Sequence, residues 1–249
     1  MTIVELSLFL LGVSIGLSSS FLGVGGGLIM VPLLPLFLPL SAVETVATSL
    51  FVVMVTVFVN SLSFVRKGLV DWSYFFYIGF GSVSWAVLLS YISVQGMDVI
   101  FRLGLVLALL FILLNPLSYF NFKPSRVKSF FLGSCGGFLT GISGMGSSIF
   151  SPIFFEFKWL EKKQIVPTVN AVMFVTTISV LTILFLGHPK HFGLVHLYAS
   201  LFILAGAFLS SFVGRCLNLG PYEKYRRVLL KVLVLCLLIK VLFELVFKI

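Results

Sequence analysis

Two stretches concentrate the small and hydroxyl-bearing residues of an otherwise greasy chain: LGVSIGLSSSFLGVGGGLIMVP, from Leu11 to Pro32, and LGSCGGFLTGISGMGSSIFSP, from Leu132 to Pro152. Glycine has no Cβ and so permits left-handed backbone and close approach. The GVGGG run, with Gly23, Gly25, Gly26 and Gly27, should therefore end one helix and turn the chain into the next. The GMGSS run, with Gly144, Gly146, Ser147 and Ser148, should do the same in the second stretch. A helix restarting after such a turn presents unpaired N–H groups and the positive end of its dipole, which together hold an anion without a buried Lys. Ser18, Ser19, Ser20, Ser143 and Ser151 would add hydroxyl donors nearby. Neither turn contains a Lys or Arg, so the expected cradle neutralises charge through helix ends and hydroxyls. Gly12, Gly16, Gly133 and Gly137 read instead as close-packing positions, GVSIG being a GxxxG.

Other polar residues are sparse. Thr48, Ser49 and Asn170 lie in long apolar segments after the turns and are candidate substrate contacts, with helix–helix bonding the rival role for Asn170. Thr56 and Thr177 are expected to bond back to their own helices. Glu44 is a gating or coupling candidate that could carry a proton, although its position near a helix start favours a solvated carboxylate. Arg102 and Arg227 open the last segment of each half. They read as snorkelling anchors first and as anion gates at two mouths second. His188, His191 and His196 cluster in sequence as outer decoration or pH sensors. No nucleophile–base constellation appears, and the three Cys (Cys135, Cys216, Cys236) show neither CxxC nor metal-ligand spacing. No enzyme, metal or cofactor is expected. A dinucleotide fold would need a strand before the glycines within a βαβ unit, and that pattern is missing.

The elements that must position these residues are set by composition. Of 249 residues, 59% are hydrophobic and 10% charged, against about a quarter charged in soluble domains. Uncharged runs such as 45–65 and 129–155 reach the ~20 residues needed to cross a bilayer core. The first five residues carry no Lys or Arg and do not resemble a signal peptide's basic start. The fold class is thus an all-α polytopic membrane protein. Gly12, Gly16, Gly23 and Gly25 recur 121 residues later as Gly133, Gly137, Gly144 and Gly146. Gly68-Leu69-Val70 recurs 125 later as Gly193-Leu194-Val195. Two repeats follow, residues 1–122 and 123–249. Each has about five apolar segments: 3–22, 27–39, 42–65, 72–94 and 99–120, then 129–143, 147–157, 164–187, 194–214 and 226–247. The short second segment of each half either spans or forms a re-entrant hairpin. With an odd number of crossings per half, twelve Lys and Arg fall on one side and three on the other. The positive-inside rule makes the crowded side cytoplasmic and leaves both termini outside it. The repeats are then inverted, as in many secondary transporters, with Gly25 and Gly146 expected close together near the midplane.

On these residues the chain resembles the sulfite exporter TauE/SafE family of small transmembrane anion permeases. The likeness rests on the paired glycine signatures, each followed by a Pro, on ATSL (Ala47 to Leu50), and on RKGLVDW (Arg66 to Trp72) before the next helix. It covers essentially the whole chain. The second half departs from the pattern, with Ser147 and Ser148 aligned to Gly26 and Gly27, and TVNAV (Thr168 to Val172) standing near the place of ATSL. The resemblance implies export of sulfite or an organosulfonate such as sulfoacetate across the inner membrane, driven by an ion gradient. The alternatives are an uncoupled anion channel or facilitator, and a permease for another small carboxylate or oxyanion. The expected partners are a small anion, the bilayer, a proton as candidate coupling ion and a second copy of the chain, with no nucleic acid.

Overall fold

The computed structural model describes residues 2–23, 25–93, 98–114, 125–143, 160–187, 195–218 and 223–247. Among them lie nine α-helices and no strand: α1 (Ile3–Leu17), α2 (Gly27–Phe37), α3 (Ala42–Arg66), α4 (Trp72–Ser93), α5 (Asp98–Leu114), α6 (Arg126–Ser143), α7 (Lys162–Gly187), α8 (Leu197–Asn218) and α9 (Glu223–Phe247). The stretches Ile3–Leu22, Glu44–Arg66, Lys163–Ile183 and Leu197–Leu217 are long and apolar enough to cross a membrane. The chain is an all-α polytopic membrane protein. Its outward faces carry large apolar side chains such as Phe76, Phe80, Leu201 and Phe212, as a lipid-facing surface requires.

Local chemistry explains where these helices begin and end. Thr2 and Glu5 close a capping box on α1, and Ser41 with Glu44 closes another on α3. The Asp71 carboxylate accepts from the Tyr74 N–H at 3.2 Å and caps α4. At the end of α3, Gly68 adopts φ 65°, while the N–H groups of Gly68 and Leu69 donate to the carbonyls of Val65 and Phe64. That is a Schellman motif, and it reverses the chain into α4. The expected segment 129–143 starts earlier, at Arg126, because the Ser129 N–H already donates to the Ser125 carbonyl. The expected segment 147–157 lies outside the described residues.

Helix contacts fix direction. A methyl group built on Gly12 would collide with the Ile203 carbonyl and one on Gly16 with that of Ala207, so α1 and α8 run parallel at backbone contact. Likewise Gly133 meets Ile78 and Gly137 meets Ser82, so α6 runs parallel to α4. Thr48 Oγ1 accepts from the His196 N–H at 3.0 Å and Asn60 Oδ1 from Arg215 Nη1 at 3.3 Å, which sets α3 parallel to α8. Thr168 Oγ1 accepts from the Asp71 N–H, and Thr176 Oγ1 donates to Ser82 Oγ, both at 3.0 Å, which sets α7 parallel to α4. Between α3 and α7 the sense is opposite. Phe58 stacks on Phe174, with ring centroids 5.2 Å apart, while Leu50 shares a buried cluster with Val180 and Leu181. Helices α1, α3 and α8 therefore point one way and α4, α6 and α7 the other. Arg66, Lys67, Arg126, Lys128, Lys163 and Arg215 consequently gather at one end of the bundle.

Candidate anion-binding site

The expected break after the first helix is present and more elaborate than a glycine turn. The last five residues of that crossing, Ser18–Leu22, form a π-helix that ends on Gly23 in the left-handed region at φ 67°. Such widened turns recur at functional sites. The chain then enters α2 at Gly26, whose need is for space: a methyl there would strike Cγ2 of the fully buried Ile15. Gly25 and Gly27 are buried beside it, the Gly25 carbonyl accepting from the Leu28 N–H at 3.2 Å. Pro32 and Pro35 lie inside α2, and Lys240 of α9 donates to the Pro32 carbonyl, which gives a lysine within an apolar segment its polar partner.

The π-segment turns one serine outward. Ser18 donates to the Ile15 carbonyl at 2.9 Å and Ser20 to that of Gly16 at 2.5 Å, so both hydroxyl protons serve their own helix. Ser19 instead donates to Asn170 Oδ1 and accepts from Asn60 Nδ2, each at 3.3 Å. Asn170 Nδ2 reaches the Val166 carbonyl at 2.9 Å and the Ser19 carbonyl at 3.3 Å. Ser19, Asn60 and Asn170 are each fully buried. One polar chain thus joins the break in α1 to α3 and to α7, and Arg215 of α8 joins it through Asn60.

The other expected contacts are placed less centrally. Thr48 is buried and held by the His196 N–H. The buried Ser49 hydroxyl has no hydrogen-bond partner among the described residues, as is also true of Thr45 and Ser61. Ser143 donates to the Leu139 carbonyl at 2.6 Å. Thr56 and Thr177 bond back to Val52 and Met173 as expected. Glu44 accepts from both the N–H and the hydroxyl of Ser41 at 2.8 Å, a helix-start role. Gly144, Gly146, Ser147, Ser148 and Ser151 lie outside the described residues, as do His188 and His191 and the side chains of Arg102 and Arg227.

Asn60 and Arg215 are the two members that sequence reasoning missed. An Asn in an apolar run is the signal that singles out Asn170 and applies equally to Asn60, whereas an Arg near a helix end reads as one of the topology-setting charges. The network also sits off the middle of its helices. Asn60 lies six residues before the end of α3, ~9 Å by helical rise, and Asn170 eight residues after the start of α7, ~12 Å. Both distances are measured from the cation-rich end. The arrangement brings buried amide and hydroxyl groups and one half-buried guanidinium together beside the break. That donor set suits a small oxyanion.

Residues 8–241 match the sequence model of the family described as Sulfite exporter TauE/SafE. The chain belongs to this family. It is also similar to a "Probable membrane transporter protein" of Haemophilus influenzae, 30% identical over 183 residues, which cover 68% of this chain and 67% of that protein. No solved structure matches it. The polar network of this TauE/SafE chain is therefore set in a membrane transporter, and among the described residues no group of His, Cys, Asp and Glu could hold a metal ion.

Proposed function

We propose that this transporter exports a small sulfur-containing oxyanion, sulfite or an organosulfonate such as sulfoacetate, across the cytoplasmic membrane as a gradient-driven secondary carrier. Membership of the sulfite exporter family supports the anion class. The observation that carries the reading is the buried Ser19–Asn60–Asn170 network at the π-break, which joins the two halves of the chain. Uncharged donors bind an anion without a full opposite charge to hold it in place, since a hydrogen bond to a charged group contributes only ~1.5–3 kcal/mol net. A substrate that must leave needs that modest hold.

Alternating access follows from reading residues 1–122 and 123–249 as inverted repeats. What supports it is the recurrence of contacts in register. Gly12 against Ile203 is matched by Gly133 against Ile78, and Gly16 against Ala207 by Gly137 against Ser82. The bond from His196 to Thr48 has its counterpart, one residue short of that register, in the bond from Asp71 to Thr168. The equivalent helices α1 and α6, α3 and α7, and α4 and α8 point in opposite senses. The cation-rich end is then cytoplasmic and the termini are not.

Reconstituted protein loaded with sulfite or sulfoacetate tests the function. A carrier coupled to protons releases anion against its gradient when a pH gradient is imposed, and a protonophore abolishes this. Release only down the anion's own gradient, unaffected by the protonophore, would mark an uncoupled facilitator instead. Release of acetate or sulfate in preference to both sulfur anions would move the substrate assignment.

A further inference from the structure

Arg215 stands in an unusual position for a cation. It lies near the end of α8, half-buried, and makes no ion pair among the described residues. The partner its guanidinium finds there is the neutral oxygen Oδ1 of the fully buried Asn60, 3.3 Å from Nη1. A guanidinium carries five donors in a planar fork that fits two oxygens of an oxyanion at once. Among the described residues one amide oxygen is its hydrogen-bond partner, which leaves most of that capacity unused, and a half-buried charge held by a neutral acceptor lacks an opposite charge to compensate it. Backbone packing brings it there. A methyl on the adjacent Gly214 would collide with the Ser20 hydroxyl, so α8 presses directly on the π-segment beside the break. Asn60, having taken Arg215 with its oxygen, gives one amide proton to the Ser19 hydroxyl, and Ser19 gives its own to Asn170. The line of bonds therefore runs from the cation-rich end inward to the junction of the two halves.

We propose that Arg215 is the anion-receiving residue at the cation-rich mouth of the site, and that Asn60 Oδ1 keeps its place until the substrate arrives. This rests on the reading of the chain as an oxyanion carrier. A sulfite or sulfonate group supplies two oxygens that share its negative charge where Asn60 supplies one neutral oxygen, so the anion adds a bidentate fit and the attraction of opposite charges to what the amide offers. The anion displaces Asn60 from the guanidinium. The freed Asn60 oxygen then no longer ties α3 to α8, so arrival of substrate is coupled to the contact between these helices.

The test measures the KM for sulfite and for sulfoacetate in oriented proteoliposomes, with anion supplied in turn to the Arg215 face and to the opposite face. Arg215→Gln should raise KM on the Arg215 face by about tenfold or more, the ratio that corresponds to ~1.4 kcal/mol, with a smaller change on the opposite face. Asn60→Asp keeps the shape of the side chain and sets a carboxylate against the guanidinium, so it should raise KM on that same face more than on the opposite one, in protein shown to be folded. Arg215→Lys should recover part of the loss. Unchanged KM on both faces in Asn60→Asp, or equal increases on both faces in Arg215→Gln, would overturn the assignment while leaving carrier function intact. A wild-type protein that moves neither anion would overturn the carrier reading and this assignment with it.

Discussion

At the scale of single residues, the decisive difference at the break is between hydroxyls that serve their own helix and Ser19, which does not. Ser18, Ser20, Thr56 and Thr177 all donate to a carbonyl three or four residues earlier, which satisfies them locally and makes each replaceable. Ser19 has two side-chain partners on other helices. Ser19→Ala should therefore leave two buried Asn groups short of partners and destabilise the protein by ~1–3 kcal/mol. Thr56→Ala, which removes only a local bond, should cost less than about 1 kcal/mol. Unfolding of the purified variants in mixed micelles would compare them, and equal costs would remove Ser19 from its bridging role.

At the scale of elements, small residues set how closely helices approach. Gly81 of α4 faces the Phe130 carbonyl and the Ser134 backbone of α6, and a methyl there cannot fit without moving backbone. Gly79, two residues earlier on the same helix, meets nothing within 4 Å. Gly81→Ala should thus destabilise by ~1–3 kcal/mol through overpacking, whereas Gly79→Ala should be neutral or stabilising by up to ~1 kcal/mol through backbone entropy. Thermal unfolding that ranks the two the other way would contradict the parallel packing of α4 on α6. The helix boundaries were largely legible in the sequence, since Gly, Pro and capping residues punctuate it: α2 was expected at 27–39 and ends at Phe37. The π-segment was not legible, because a widened turn changes the hydrogen-bond pattern without changing which residue types occupy it. Its serines announced polarity at the break, yet only the three-dimensional turn reveals that Ser19 alone reaches the other helices.

At the scale of the whole molecule, the cations gathered at one end follow from helix direction, and direction from a handful of glycines and hydroxyls. The same count that favoured an odd number of crossings per half predicts that a C-terminal reporter active only in the cytoplasm stays silent; strong cytoplasmic signal would contradict the inverted arrangement. The candidate site was half legible. Gly23, Gly25, Gly26, Gly27 and Asn170 announced themselves by type and context, and Asn60 carried the same signal as Asn170, whereas Arg215 joins them only through tertiary packing. The cradle expected to be free of Lys and Arg has a guanidinium at its edge because α8, remote in sequence, lies against the break. The most direct measurement is sulfite efflux from proteoliposomes bearing wild-type protein or Gly26→Val, matched for helix content and insertion. The added side chain must displace Ile15 at the entrance to α2, so the break should lose its shape, with transport abolished in a protein that still folds. Normal efflux from folded Gly26→Val would show that the substrate binds elsewhere.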